Sequence, residues 1–157
     1  MANILLLGAT GYVGGRLLPR LLQRGHRVRC LARSPRKIPP QDAEHCDIRR
    51  GDILDPDTLH GVFDGIDTVL YLVHSMSGGS DDFERRDRRG AEHVADAARR
   101  AGVRRIMYLG GLGRRDSNQS PHLRSRHEVG DILRASGVPV TEFRAAVIVG
   151  SGSASFE

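Results

Sequence analysis

The chain has 157 residues, enough for one domain that buries roughly 70% of its unfolded surface without help from disulfides or a structural metal. With 39% hydrophobic and 27% charged residues it is neither a disordered nor a fibrous composition. The net charge of +5 is uneven: Arg16, Arg20, Arg24, Arg27, Arg29, Arg33, Arg36 and Lys37 precede the first acid, Asp42. Along the chain, Asn3–Leu7 predicts a buried strand. Gly11–Arg24 follows with Val13, Leu17, Leu18, Leu21 and Leu22 at helical spacing, and Pro19 predicts a mild kink. Arg27–Ala32 predicts a second strand and Cys46–Arg50 a weaker third. A short helix is expected over Asp57–Phe63, then a strand over Thr68–Val73. Asp81–Ala101 predicts a long helix that turns Phe83, Ala91, Val94, Ala95 and Ala98 inward. Arg104–Leu109 and Val140–Ile148 predict the last strands, with a helix between them from the cap-like Ser120, through Pro121, to the stop at Gly137.

Six short apolar strands with helical crossovers imply an α/β domain, a parallel sheet covered on both faces. Right-handed crossovers then give a doubly wound fold, with about six strands in the order 3-2-1-4-5-6. Residues 1–150 are expected to form this one domain. The apolar runs are too short to span a bilayer, and no secretion signal is recognisable at the start. Cys30 and Cys46 lack CxxC spacing, so no disulfide framework or zinc site is expected and a reducing cytoplasm is the default.

Immediately after the first strand stands Gly8-Ala9-Thr10-Gly11-Tyr12-Val13-Gly14. Gly8 suits a tight turn, Gly11 lets backbone approach a pyrophosphate, and Gly14 lets the helix pack on the strand. The free N–H groups of the helix start then meet the anion. The strand before it and the amphipathic helix after it are the context that makes this pattern informative. The second strand ends in Leu31-Ala32-Arg33-Ser34 with no acid to hold a free ribose diol. Arg33 and Ser34, with Arg36 or Lys37 nearby, instead suit a 2′-phosphate, so NADP is expected rather than NAD.

With Leu31-Ala32-Arg33 and Gly51-Asp52, the glycine segment resembles the extended and atypical short-chain dehydrogenase/reductases. The resemblance is nearest to the NAD(P)H-binding, NmrA-like branch related to nucleoside-diphosphate-sugar epimerases. It implies a Rossmann fold in which Asp52 and Ile53 border the adenine and Leu72, Val73 and His74 line the nucleotide ribose region. It also implies a substrate-binding region after the sixth strand, of which residues 151–157 would be the start, or else a linker. The family's catalytic Tyr and Lys lie four residues apart on one helix face, with a Ser after the fifth strand. Here no Tyr follows Tyr108, no Lys follows Lys37, and Leu109–Gly113 holds only leucine and glycine.

At the matching point stand His122 and Arg126. Histidine is the residue type suited to exchanging a proton near neutral pH, which makes His122 the candidate acid; Arg126 is the candidate for positioning the nicotinamide ribose or an anionic substrate. Both also read as solvated residues at a helix start. Two functions therefore stay open: an NADP(H)-dependent oxidoreductase acting on a small carbonyl or quinone-like substrate, or a non-catalytic NADP(H)-binding sensor or assembly partner. A homo-oligomer is compatible with either. Seven histidines without HExxH spacing give no metal site. The run Asp81–Arg89 contains acid-before-base pairs (Asp81–Arg85, Asp82–Arg86, Glu84–Arg88), as does Asp96–Arg100 beyond it. They predict a solvated helix face rather than a nucleic-acid patch.

Overall fold

Asn3–Leu7 is strand β1, and Leu5, Leu6 and Leu7 are wholly buried because helices cover both of its faces. A computed structural model describes residues 1–74, 80–114 and 120–151. In chain order after β1 come α1 (Tyr12–Gln23), β2 (Arg27–Ala32), α2 (Pro40–Ala43), β3 (Asp47–Arg50) and β4 (Thr68–Tyr71). They are followed by α3 (Ser80–Arg100), β5 (Arg105–Gly111), α4 (Pro121–Ala135) and β6 (Val140–Ala145). All strand pairs are parallel, in the order β3-β2-β1-β4-β5-β6. The chain is thus a doubly wound α/β domain with the expected strand order. Register is set by pairs such as Leu6 with Cys30 on one side and Leu70 on the other.

The alternation of strand side chains builds two cores. Leu5, Leu7, Leu31, Val69, Tyr71, Ile106 and Tyr108 point to one face and pack against α3 and α4. Ile4, Leu6, Val28, Cys30, Ala32 and Leu70 point to the other and pack against α1. Phe83, Ala91, Val94, Ala95 and Ala98 are buried as the helical spacing predicted. Among the described residues, no helix is long and apolar enough to cross a membrane.

Several boundaries differ from expectation. The helix predicted over Asp57–Phe63 is a single 3-10 turn, Pro56–Leu59, followed by a turn at Gly61, whose φ of 69° suits the left-handed region. β4 ends at Tyr71, and β6 ends at Ala145 where the register with Gly111 runs out. A 3-10 turn at Pro35–Lys37 and the short α2, each opened by proline, escape a periodicity reading because they are too short to show one. Pro19 sits inside α1, which runs through it without a break. The expected tail beyond residue 151 lies outside the described residues.

The charged face of α3 also differs. Asp82 pairs with Arg85 at 2.8 Å and more loosely with Arg86 at 3.9 Å, and Asp96 holds Arg99 and Arg100. Glu84, however, accepts from Arg124 of α4 at 2.6 Å rather than from Arg88, and Arg88 reaches Glu128 of α4 at 2.7 Å. Part of the expected solvated face is therefore a bridge between two helices. The side chain of Asp81 lies outside those described.

Candidate functional site

The turn between β1 and α1 opens with Gly8 at φ 99°, a conformation L side chains avoid. A Cβ there would meet the Leu72 backbone at 3.1 Å, so glycine is needed for space as well. The Gly11 N–H donates to the Gly8 carbonyl at 3.0 Å and closes the turn. Gly14 is tighter still: a Cβ would stand 2.8 Å from the Gly8 carbonyl carbon and collide with its oxygen. The helix therefore begins directly against the strand end.

Gly11 caps α1, no side chain supplies a capping hydrogen bond, and its first turn holds no acid. The contrast with α4 is informative, because there the Ser120 hydroxyl accepts from the Leu123 N–H at 3.3 Å. The start of α1 keeps its N–H groups and its positive dipole end without a side-chain acceptor, which is the arrangement that receives a phosphate.

This turn forms one wall of a cleft of about 440 Å³ at the C-terminal ends of the central strands. Leu7, Gly8, Thr10, Gly11 and Tyr12 come from the β1–α1 turn, and Leu31, Ala32 and Arg33 from the end of β2. Gly51–Leu54 follow β3, Leu72, Val73 and His74 follow β4, and Arg86 and Asp87 come from α3. Of the predicted cofactor residues, Gly8, Thr10, Gly11, Tyr12, Arg33, Asp52, Ile53, Leu72, Val73 and His74 are thus brought together. Gly14 lies behind the turn it makes possible, and Val13 and Ser34 stand beside the cleft rather than in its wall.

The loop after β3 is held by Thr58, whose hydroxyl accepts from the Asp52 N–H at 3.0 Å and donates to the Asp55 carbonyl at 2.7 Å. The Asp52 carboxylate accepts from the Leu54 N–H at 3.0 Å. A His93 ring nitrogen lies 2.8 Å from the Ile53 carbonyl, so α3 clamps this loop in place. At the other end, the protein around the His74 imidazole lowers its pKa. The nearby Arg126 and His122 act in the same direction, and Asp87 opposes them.

His122 and Arg126 occupy the first two turns of α4 but are not in the cleft wall. His122 is exposed and stacks on Phe83, with ring centroids 4.3 Å apart and planes within 10°. Arg126 packs over Gly111, where a Cβ would come within 3.0 Å of its Cδ. Tyr108 donates its hydroxyl to the Arg126 carbonyl at 2.9 Å, and burial pushes the pKa values of Tyr71 and Tyr108 up. Neither tyrosine is thereby a phenol activated for proton exchange.

Sequence reasoning did not assign Leu7, Leu31, Ala32, Gly51 and Leu54 to the site, nor Arg86 and Asp87 of α3. Asp87 is only 7% exposed and accepts from the buried Ser125 hydroxyl of α4 at 3.0 Å. A signal existed. Asp87 lies four residues after Phe83 and four before Ala91, on the stripe of α3 that the apolar residues mark as inward. A carboxylate in that stripe needs partners in the interior.

The chain matches the NAD(P)H-binding family over residues 8–149. It is 35% identical over 117 residues to a 3β-hydroxysteroid dehydrogenase/Δ5→4-isomerase of Mycobacterium tuberculosis, an alignment covering 69% of this chain and 31% of that protein. It is 26% identical to the photosystem II assembly factor Ycf39 of Cyanophora paradoxa, over 90% of this chain and 44% of the relative. Among solved structures, triphenylmethane reductase of Citrobacter sp., complexed with NADP(H), superposes with a TM-score of 0.76 at 24% identity. That alignment covers 92% of this chain and 50% of the reductase. The chain spans about a third to a half of the length of these proteins.

Proposed function

The chain belongs to the NAD(P)H-binding family of short-chain dehydrogenase/reductase type, and on that premise we propose that its cleft binds NADP(H) for reduction of a small carbonyl or quinone-like substrate. The observation that carries the choice of NADP over NAD is at the end of β2. Arg33 stands in the cleft wall, and no acid occurs before Asp42. An acid there would accept from a free ribose diol and repel a 2′-phosphate; a guanidinium does the reverse.

The residues fit a dinucleotide in sequence along the cleft. The uncapped start of α1 at Gly11, Tyr12 and Val13 receives the pyrophosphate, and Arg33 and Ser34 the 2′-phosphate. Asp52 and Ile53 border the adenine, while Leu72, Val73 and His74 lead toward the nicotinamide end. When bound, the cofactor supplies hydride, and the protein contributes binding, orientation and a proton. His122 is the candidate proton carrier and Arg126 the candidate anion-positioning group. Both stand outside the cleft wall, so a substrate would have to bridge from it to the start of α4.

One observation favours a second reading, NADP(H) binding without turnover. The position of the family's tyrosine holds an exposed histidine stacked on Phe83, and no lysine accompanies it. Calorimetric titration with NADPH and, separately, NADH tests the shared premise. Micromolar NADPH binding with NADH weaker by tenfold or more supports it; equal affinities would refute the Arg33 assignment. NADPH oxidation in the presence of quinone acceptors, lost in His122→Ala with NADPH affinity unchanged, would then separate enzyme from sensor.

A further inference from the structure

Arg86 lines the cleft, yet it belongs neither to the phosphate turn nor to a strand end. It lies on α3 one turn before Gly90 and two before His93, and this 86-90-93 spacing marks one stripe of the helix. Both later positions are locked to the loop after β3. A Cβ at Gly90 would stand 2.7 Å from the Ile53 Cδ1, and His93 reaches the Ile53 carbonyl. Arg86 therefore comes off the helix at the Ile53–Leu54 end of the cleft. Next to it, the Asp87–Ser125 hydrogen bond ties this turn of α3 to α4.

The guanidinium is poorly engaged for a group so placed. Among the described residues it is paired with Asp82 at 3.9 Å, whose carboxylate also holds Arg85 at 2.8 Å. Arg86 Nε is buried and has no hydrogen-bond partner among the described residues. The side chain as a whole is nevertheless 37% exposed, so the accessible face of its guanidinium, held by no close carboxylate, is what a ligand in the cleft would meet. Ile53 and Leu54 give this end of the cleft apolar side chains, a surface suited to a flat heteroaromatic ring. A planar, weakly hydrated guanidinium stacks on such a ring, which an ammonium does not.

We propose that Arg86 holds the adenine ring of the cofactor, closing the Ile53–Leu54 end of the cleft over the purine. The assignment rests on the cleft being a nicotinamide-dinucleotide site and adds a residue from α3 to it. Arg86 acts on the adenine common to NADP(H) and NAD(H), whereas Arg33 acts on the 2′-phosphate that distinguishes them.

The test is calorimetry of the wild-type chain, Arg86→Ala and Arg86→Lys with NADPH and NADH, with a thermal melt of each unliganded protein. Arg86→Ala is expected to weaken both ligands by the same factor, about tenfold. Arg86→Lys should recover little of it, and the melting temperatures should stay close because the side chain is partly exposed. Unchanged NADPH affinity in Arg86→Ala would overturn the assignment. So would a loss confined to NADPH, which would put Arg86 on the 2′-phosphate, or full rescue by lysine, which would make it a simple counter-charge to the pyrophosphate. A wild-type chain that takes up neither ligand would refute the cofactor reading itself. Wild-type binding with an indifferent Arg86→Ala refutes only the role of Arg86.

Discussion

At Gly14 there is no space for even one methyl group, since the Gly8 carbonyl already occupies the position of its Cβ. Gly14→Ala must push α1 off β1, and overpacking of this kind costs about 1–3 kcal/mol. Urea unfolding should show that loss, with NADPH binding weakened as the turn is displaced. Gly11 is different. It is exposed, and its Cβ position meets only the Gly8 carbonyl oxygen at 3.3 Å. Gly11→Glu should leave the melting temperature within a few degrees yet abolish NADPH binding, because its carboxylate takes the place of the cofactor's phosphates. At Arg33 the expected effect is on choice rather than strength alone. Arg33→Asp should turn an NADPH preference toward NADH, and an unaltered ratio in the same titration would make Arg33 ordinary surface.

Among the elements, α3 and α4 are joined by ion pairs at their surface and by the Asp87–Ser125 hydrogen bond beneath. The exposed pairs contribute little, of the order of 0–1 kcal/mol each. The buried bond to a carboxylate is worth more. Ser125→Ala should cost about 1–3 kcal/mol in denaturant unfolding, while Arg88→Ala stays within about 1 kcal/mol of wild type.

The edge strand β6 is secured differently. Glu142 accepts from Arg134 of α4 at 2.9 Å and from Arg144 at 3.3 Å. Burial opposes its ionisation, but these hydrogen bonds outweigh burial and hold the carboxyl below the usual range. Its folded pKa lies below its unfolded one, so this stabilisation is complete above roughly pH 4.5 and disappears as pH falls through the folded value. Glu142→Gln should therefore lower the melting temperature at pH 7, with the gap from wild type closing on acidification below about pH 4.

For the whole molecule, the two cores share one sheet, and its centre is the part covered on both faces. Leu5, Leu6, Leu7 and Val69 are fully buried, whereas Phe143 of β6 is 52% exposed and Val147 beyond it 71%. Native-state hydrogen exchange should find the slowest amides in β1 and β4 and faster exchange throughout Val140–Ala145. Equal protection across all six strands would contradict this gradient.

The strands, their order and the glycine turn after β1 were legible in the residues alone, for a common reason. Continuous apolar runs such as Leu5–Leu7 can only be satisfied by burial on both faces, and glycines at 8, 11 and 14 answer to backbone geometry local to a few residues. Where a pattern was short it was illegible, as at Pro56–Leu59, because one 3-10 turn has no period to read. The partners of long charged side chains were decided only in the tertiary structure. Glu84 and Arg88 have acceptable partners on their own helix, and what redirects them to Arg124 and Glu128 is the packing of α4 alongside. The same packing buries Asp87 against Ser125 and leaves Arg86 at the cleft. Spacing along one helix says which residues share a face; only the neighbouring helix and loop decide what that face meets.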